Sequence, residues 1–205
     1  MKLFNSIGPN PRVVKMFIAE KGLNIPLEEV DLMGGANRQE EYLKVNAAGQ
    51  LPALQLDNGD ILAEITAICE YLEDTNASPV LVGSTVEERA ETRMWVRRID
   101  LGICEPLANG FRYSEGLPMF QARMRCLPEA ADGLKACAQD KIKWIDEQLE
   151  GKKWIAGDRF TLADILLFSF LDFGVAVGQP LDVSNKNVIA WFDRVKARPS
   201  AAASA

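Results

Sequence analysis

The sequence predicts an α/β domain built on a mixed four-stranded sheet, followed by an all-α domain, and three observations lead there. Up to about residue 74 the chain alternates strand-like and helix-like stretches in the order β-α-β-α-β-β-α. Within that order, Asn58-Gly59 stands between Leu54/Leu56 and Ile61/Leu62, a strong hairpin signal that predicts a type I′ turn with both central residues at positive φ. Beyond Ser84 no clear strand recurs, and long helical patterns take over. A βαβ unit followed by ββα gives both parallel and antiparallel neighbours, hence a mixed sheet flanked by helices.

Each element has a local cause. Lys2-Leu3-Phe4 is a short strand, and Asn10-Pro11 then predicts a helix start, with asparagine as N-cap and proline at the first helical position. Val13, Val14, Phe17 and Ile18 form its apolar stripe, and Gly22 ends it. Pro26 to Leu32 alternates as a strand, Gly34-Gly35 makes a loop, and Gln39 to Val45 reads as a short helix. After the hairpin, Glu64 opens a helix that runs to about Asp74.

The turn-rich stretch from Asn76 to Ser84 marks the boundary between a sheet domain, residues 1–77, and a helical domain, residues 84–205. Ser84 and Thr85 each have a glutamate three residues on, a capping box for a long helix through Trp95, Ile99 and Ile103, which Pro106 bends or ends. A second long helix carries Leu134, Ala138, Ile142 and Ile145 and stops at Gly151. Thr161 and Asp164 cap the third helix, whose run from Ile165 to Phe173 is apolar on all sides and therefore central. The last helix spans about Asn187 to Arg198, and the Ala/Ser stretch after Pro199 is expected to fray.

Composition narrows the function. Hydrophobic residues at 48% and charged residues at 25% are those of an ordinary soluble globular chain. No apolar run approaches the roughly 18–20 residues of a membrane span, and the start lacks a signal-peptide core, so a cytoplasmic location is expected. Lys plus Arg number 23 against 29 Asp plus Glu, a net charge of −6, which argues against nucleic acid or an anionic membrane as the main partner. Histidine is absent, so His-based triads and His-ligated zinc are excluded and no metal is expected. Cys69, Cys104, Cys126 and Cys137 form no CxxC and read as buried structural thiols.

Two features near the hairpin point to a peptide-like ligand. Pro52 has no N–H and restricts Leu51 to an extended shape, so the Leu51 backbone is expected at an open edge where an extended peptide can pair. Glu64, Ile65 and Thr66 open the next helix, whose unpaired N–H groups favour a carboxylate. Taken alone, Glu64 would be an acid stabilising its own helix. Together the two features suit a peptide that carries carboxylates.

The module order, with QLPAL, EITAICEYLED and GDRFTLADI in sequence, resembles the cytosolic glutathione transferases along the whole chain. The resemblance implies a thioredoxin-like N-terminal domain, a cis peptide bond before Pro52, glutathione as co-substrate, a hydrophobic electrophile as second substrate, a homodimer and a role in detoxification. It also implies site residues: Leu51 pairing its backbone with the cysteinyl unit, Glu64 meeting the γ-glutamyl ammonium, and the N–H groups of Ile65 and Thr66 holding the γ-glutamyl carboxylate. Gln50 and Asn37 would contact the cysteinyl or glycyl end, and Asp100 would reach the partner's γ-glutamyl group. The chain departs from the family by Ile65, where serine is usual, and by a first loop with neither tyrosine nor cysteine. Asn10 and Ser6 remain as donors to the thiolate; Pro9-Asn10 resembles the Nu class, and Asn10 is the favoured of the two. Trp95, Phe111 and Tyr113 either line an apolar pocket or belong to the core. The activity implied is addition of the thiolate to an electrophile; the alternatives are a non-catalytic binding or regulatory protein of this fold, and a glutathione-dependent peroxidase or disulfide reductase.

Overall fold

The computed structural model describes residues 1–205, which divide into two compact units: Met1–Val80 together with Pro199–Ala205, and Leu81–Arg198. In the first unit, strands β1 (Lys2–Asn5), β2 (Leu27–Glu29), β3 (Ala53–Gln55) and β4 (Ile61–Ala63) form one sheet in the order β2-β1-β3-β4. β1 runs parallel to β2, while β3 is antiparallel to both β1 and β4. Helices α1 (Pro9–Glu20), α2 (Glu40–Leu43) and α3 (Ile65–Thr75) complete the predicted order. Leu3, Val14, Phe17, Leu54, Ile68 and Leu72 are fully buried, so the core lies where the sheet meets α1 and α3.

Local chemistry explains the ends of these elements. α1 stops at Gly22, φ 63°, where Leu23 N–H reaches Ile18 O at 3.0 Å and Gly22 N–H reaches Ala19 O at 3.1 Å, a Schellman closure. Its start differs from the expectation: Gly8, φ 114°, is the N-cap, Pro9 is the first helical residue, and Asn10 lies inside the first turn. The hairpin forms, but around a three-residue loop rather than a type I′ turn. Gly59 N–H bonds Leu56 O at 3.0 Å, Leu56 N–H bonds Asp60 O at 2.8 Å, and only Gly59 takes positive φ. A loop of this length needs one left-handed residue, and glycine supplies it.

In the second unit, α4 (Val86–Ile99) is capped by Thr85, whose hydroxyl accepts from Glu88 N–H. Pro106 neither ends nor sharply interrupts the helix. A π-helical turn, Asp100–Cys104, carries α4 into α5 (Glu105–Arg112). Pro106 can give no bond to the carbonyl of Gly102, and the wider turn ahead of it accommodates the ring within a continuous helical path. Next come the short α6 (Leu117–Phe120), α7 (Ala131–Gln148), α8 (Leu162–Ala176) and α9 (Lys186–Lys196). α8 is buried continuously from Leu162 to Leu171, as its apolar run requires.

Its N-terminus is held by Asp164, which takes four hydrogen bonds: from Thr161 N–H (2.9 Å), Thr161 Oγ1 (3.3 Å), Ile155 N–H (3.0 Å) and Trp191 Nε1 (2.8 Å). Two readings are corrected. Residues 199–203 form a helix, α10, inside the first unit rather than fraying. Of the four thiols only Cys69 and Cys104 are buried; Cys126 is partly and Cys137 fully exposed.

Candidate functional site

Strand register gathers the chemistry-bearing segments at one end of the sheet. Phe4 lies opposite Ala53, and Ala53 opposite Ala63. The residues leaving β1 (Asn5, Ser6), those entering β3 (Leu51, Pro52) and the one leaving β4 (Glu64) therefore emerge side by side. Asn5 opposite Glu29 puts the end of β2 there as well, and Asn5 Nδ2 donates to Glu29 Oε1 at 2.6 Å.

The approach to β3 is pinned so that Leu51 is left exposed in one respect only. Tyr42, held protonated because burial pushes its hydroxyl up to about 12, donates to Gln50 O at 2.7 Å, and Asn46 Nδ2 donates to the same oxygen at 2.9 Å. Asn37 is buried and gives its Nδ2 to Gly49 O at 2.6 Å, so its amide shapes this loop. Gly49 is required: a Cβ there would stand 2.9 Å from the Asn37 carbonyl, and its φ is 62°. With its neighbours fixed, Leu51 presents a backbone N–H and C=O that enter none of the chain's backbone hydrogen bonds. The expectation of an open sheet edge is corrected in its geometry. β3 is a central strand with partners on both sides, and the free groups belong to the residue before the cis Leu51–Pro52 bond.

At the other side stands Glu64, the single non-glycine residue at positive φ (φ 70°, ψ 121°). It is the N-cap of α3, but its side chain makes no capping bond and is exposed. Its carbonyl accepts Ile68 N–H at 2.9 Å, and the N–H groups of Ile65, Thr66 and Ala67 are the unpaired donors of the helix start. Residues held in such sparsely populated backbone regions cost about 1–3 kcal/mol and persist where function asks for them. Sequence reading found Glu64 but not its strain, because no glycine or asparagine marks the position.

The thiolate donors also separate. Ser6 is buried and donates its hydroxyl to Val30 O at 2.7 Å, so its proton is committed. Asn10 is partly exposed at the first turn of α1, and no hydrogen bond holds its side-chain amide. Pro9 and Pro11 on either side have no N–H, which leaves the Asn10 backbone as the donor of that turn. Trp95 belongs to the core of the second unit, 5.8 Å from Trp144 between ring centroids. Phe111 packs edge-on against Phe173 and Phe120, Tyr113 is partly buried, and Asp100 sits 3.9 Å from Arg97 in the π-helical turn. No group of three or more His, Cys, Asp or Glu side chains could hold a metal ion. No helix is long and apolar enough to cross a membrane.

A β-α-β-α-β-β-α unit with a cis proline before its central antiparallel strand and a strained acid at a helix start, followed in the chain by a helical unit, define a protein with a thioredoxin-like N-terminal domain and an all-α C-terminal domain. Comparison with known proteins agrees. Residues 7–75 match the family profile "Glutathione S-transferase, N-terminal domain" and residues 129–199 match "Glutathione S-transferase, C-terminal domain". The glutathione S-transferase GstA of Escherichia coli O157:H7 is 32% identical over 201 residues, covering 97% of this chain and 94% of its own. Among solved structures, Gtt2 of Saccharomyces cerevisiae superimposes with a TM-score of 0.94 at 28% identity over 100% of both chains. A glutathione S-transferase domain-containing protein of Marinobacter aquaeolei gives 0.92 at 33% identity, over 98% of this chain and 99% of its own. The chain belongs to the glutathione S-transferase family.

Proposed function

We propose that this protein binds glutathione, stabilises its thiolate and adds it to a hydrophobic electrophile. The observation that carries the reading is Glu64, strained at the N-cap of α3 with its side chain unpartnered beside unpaired backbone donors. In this arrangement the Glu64 carboxylate meets the γ-glutamyl ammonium. The N–H groups of Ile65 and Thr66 take the γ-glutamyl carboxylate, with the Thr66 hydroxyl as the nearest substitute for the serine that Ile65 replaces. The backbone of Leu51 pairs with the cysteinyl unit, and Gln50, whose side chain is exposed, lies next to it.

The chemistry asked of α1 is modest. A thiolate, not a thiol, is the nucleophile, and hydrogen-bond donors at a helix N-terminus lower a thiol pKa. Asn10 supplies its backbone N–H and side-chain Nδ2. The thiol proton leaves to water, sulfur forms a bond to the electrophilic carbon, and either the displaced group departs with its electron pair or the adjoining carbon takes up a proton. By family resemblance the protein acts as a homodimer in the cytoplasm, in detoxification.

Titration calorimetry with glutathione tests the binding claim; no heat at millimolar ligand would overturn it. Activity with a chlorodinitrobenzene-type acceptor is expected, and turnover of an organic hydroperoxide alone would replace conjugation by reduction. An Asn10→Ala variant is expected to raise the pKa of the bound thiol and to lower kcat about 10–100-fold, with full activity and an unchanged thiol pKa removing Asn10 from the mechanism. Glu64→Gly relieves the backbone strain of about 1–3 kcal/mol at the cost of roughly 0.5–1 kcal/mol of chain entropy. Its thermal stability is therefore expected to match or exceed the parent's while glutathione binds at least about tenfold more weakly. A stability loss without a change in affinity would make Glu64 structural.

A further inference from the structure

The start of α1 is poorly secured by its own residues. Its N-cap is Gly8, which has no side chain to cap with, and its first turn contains no acid. Pro9 and Pro11 contribute no N–H, and the first internal bond, Arg12 N–H to Gly8 O, is long at 3.3 Å. Helix starts without a cap or a favourable charge fray readily. A turn that must present Asn10 in one geometry therefore needs support from outside the helix.

That support comes from residues 199–205, which join the first unit although they are last in sequence. Ser200, Ala201 and Ser204 are buried, at 5%, 3% and 1% exposure. Arg12 Nη2 donates to Ala201 O at 3.4 Å, Lys15 Nζ donates to Ala205 O at 3.3 Å, and the Ser200 hydroxyl bonds Glu20 Oε1. Contacts thus run from the first turn of α1 to its last. The small side chains of residues 200–205 let the carbonyl of Ala201 in α10 come within reach of Arg12, and that of Ala205 just beyond it come within reach of Lys15.

We infer that α10 is a positioning element of the thiolate site: acting through Arg12, it holds the first turn of α1 in the geometry that presents Asn10 to the sulfur of glutathione. Arg12 is a positioning residue in this scheme, not a catalytic one. The inference rests on the proposed role of Asn10 for its chemical consequence, but its structural part stands apart from that role.

Two variants of the full chain test it. Ala201→Asp places a charge in the buried face of α10, and Arg12→Met removes the bond while keeping an apolar stem; Ala202→Asp, on the exposed side, is the control. In Ala201→Asp and Arg12→Met, exchange of the residue-12 amide, which bonds Gly8 O, and of the amides that follow it in the second turn of α1 is expected to accelerate at least about tenfold. The pKa of bound glutathione, read from thiolate absorbance against pH, is expected to rise by about one unit, with kcat falling more than KM rises. Ala202→Asp should match the parent in both readouts. Unchanged exchange and unchanged thiol pKa in Ala201→Asp would overturn the inference, as would equal shifts in Ala202→Asp. If Ala201→Asp does not fold, Arg12→Met decides by the same two readouts. Should the parent protein fail to bind glutathione, the proposed function falls, and the exchange measurement alone still decides whether α10 holds α1.

Discussion

An Asp164→Asn variant is expected to lose about 2–5 kcal/mol of stability and to melt several degrees lower, since an amide cannot accept from all the donors that converge on this carboxyl. Asp164 is 0% exposed and takes hydrogen bonds from the Thr161 backbone and hydroxyl, from Ile155 N–H and from Trp191 Nε1. The change to asparagine turns one acceptor into a donor that faces other donors, in a place where water cannot compensate. Three parts of the second unit are tied by these bonds: the start of α8, the Trp154–Arg159 segment and α9. The loss is therefore expected to appear as cooperative unfolding of that unit, measured by calorimetry or denaturant titration.

The same residue gives the variant a pH signature. Burial pushes the Asp164 carboxyl up to about 6 from an ordinary value near 3.8, against the four hydrogen bonds, which act to lower it. A folded-state value above the unfolded one means that the folded chain binds this proton more tightly. The stabilisation from this group is complete below about pH 4 and is lost as pH rises through 6. Because asparagine does not titrate, the stability gap between parent and variant should be widest near pH 4 and should narrow towards pH 7. A gap that widens with rising pH would show the hydrogen bonds outweighing the burial.

What could be read in the sequence divides along a physical line between local and distant causes. The Schellman end of α1 was legible because Gly22 is required locally, and the capping box of α8 because Thr161 and Asp164 act within one turn. The start of α1 departs from the expectation for an equally local reason. Asn10-Pro11 and Gly8-Pro9 both satisfy the preference for proline at the first helical position, and the helix starts at the earlier of the two. The Asn58-Gly59 signal gave a hairpin but not its loop, since only the glycine had to take positive φ. Pro106 suggests a break, whereas the π-helical turn Asp100–Cys104 ahead of it, which has no signature in the local sequence, carries the helix on.

At the candidate site, Leu51, Pro52 and the helix opening at Glu64 could be found from turn and proline chemistry alone. The strain at Glu64, the commitment of the Ser6 proton to Val30 and the use of Asn37 on Gly49 could not, because each depends on a partner brought close only by the sheet register or by the fold of a loop. The tail is the plainest case. Pro-Ser-Ala-Ala-Ala-Ser-Ala has no apolar stripe and reads as fraying chain, yet its small side chains are what allow close approach to α1.

Replacing Lys21 with methionine is expected to cost the first unit about 3–5 kcal/mol, the usual effect of removing one member of a buried ion pair. Lys21 and Glu73 have side-chain exposures of 0% and 4% and approach to 2.5 Å. The ammonium also donates to Asn76 O and Pro79 O, both at 2.6 Å, so its three protons tie the end of α1 to the end of α3 and to the segment that leaves the sheet. Methionine fills the space of the lysine stem but takes the ammonium away from the Glu73 carboxylate and from both carbonyls. Lys21→Met combined with Glu73→Leu also removes the buried negative charge and should recover part of the loss, because a buried ion pair is often little better than well-packed apolar groups. A remainder of about 1–3 kcal/mol, from the carbonyls of Asn76 and Pro79 that lose their donor, should persist. Full recovery in the double variant would show that the two carbonyls find water and that the pair, not the tie to residues 76–79, is what Lys21 contributes. Denaturant titration of the parent, the two single variants and the double variant separates these terms.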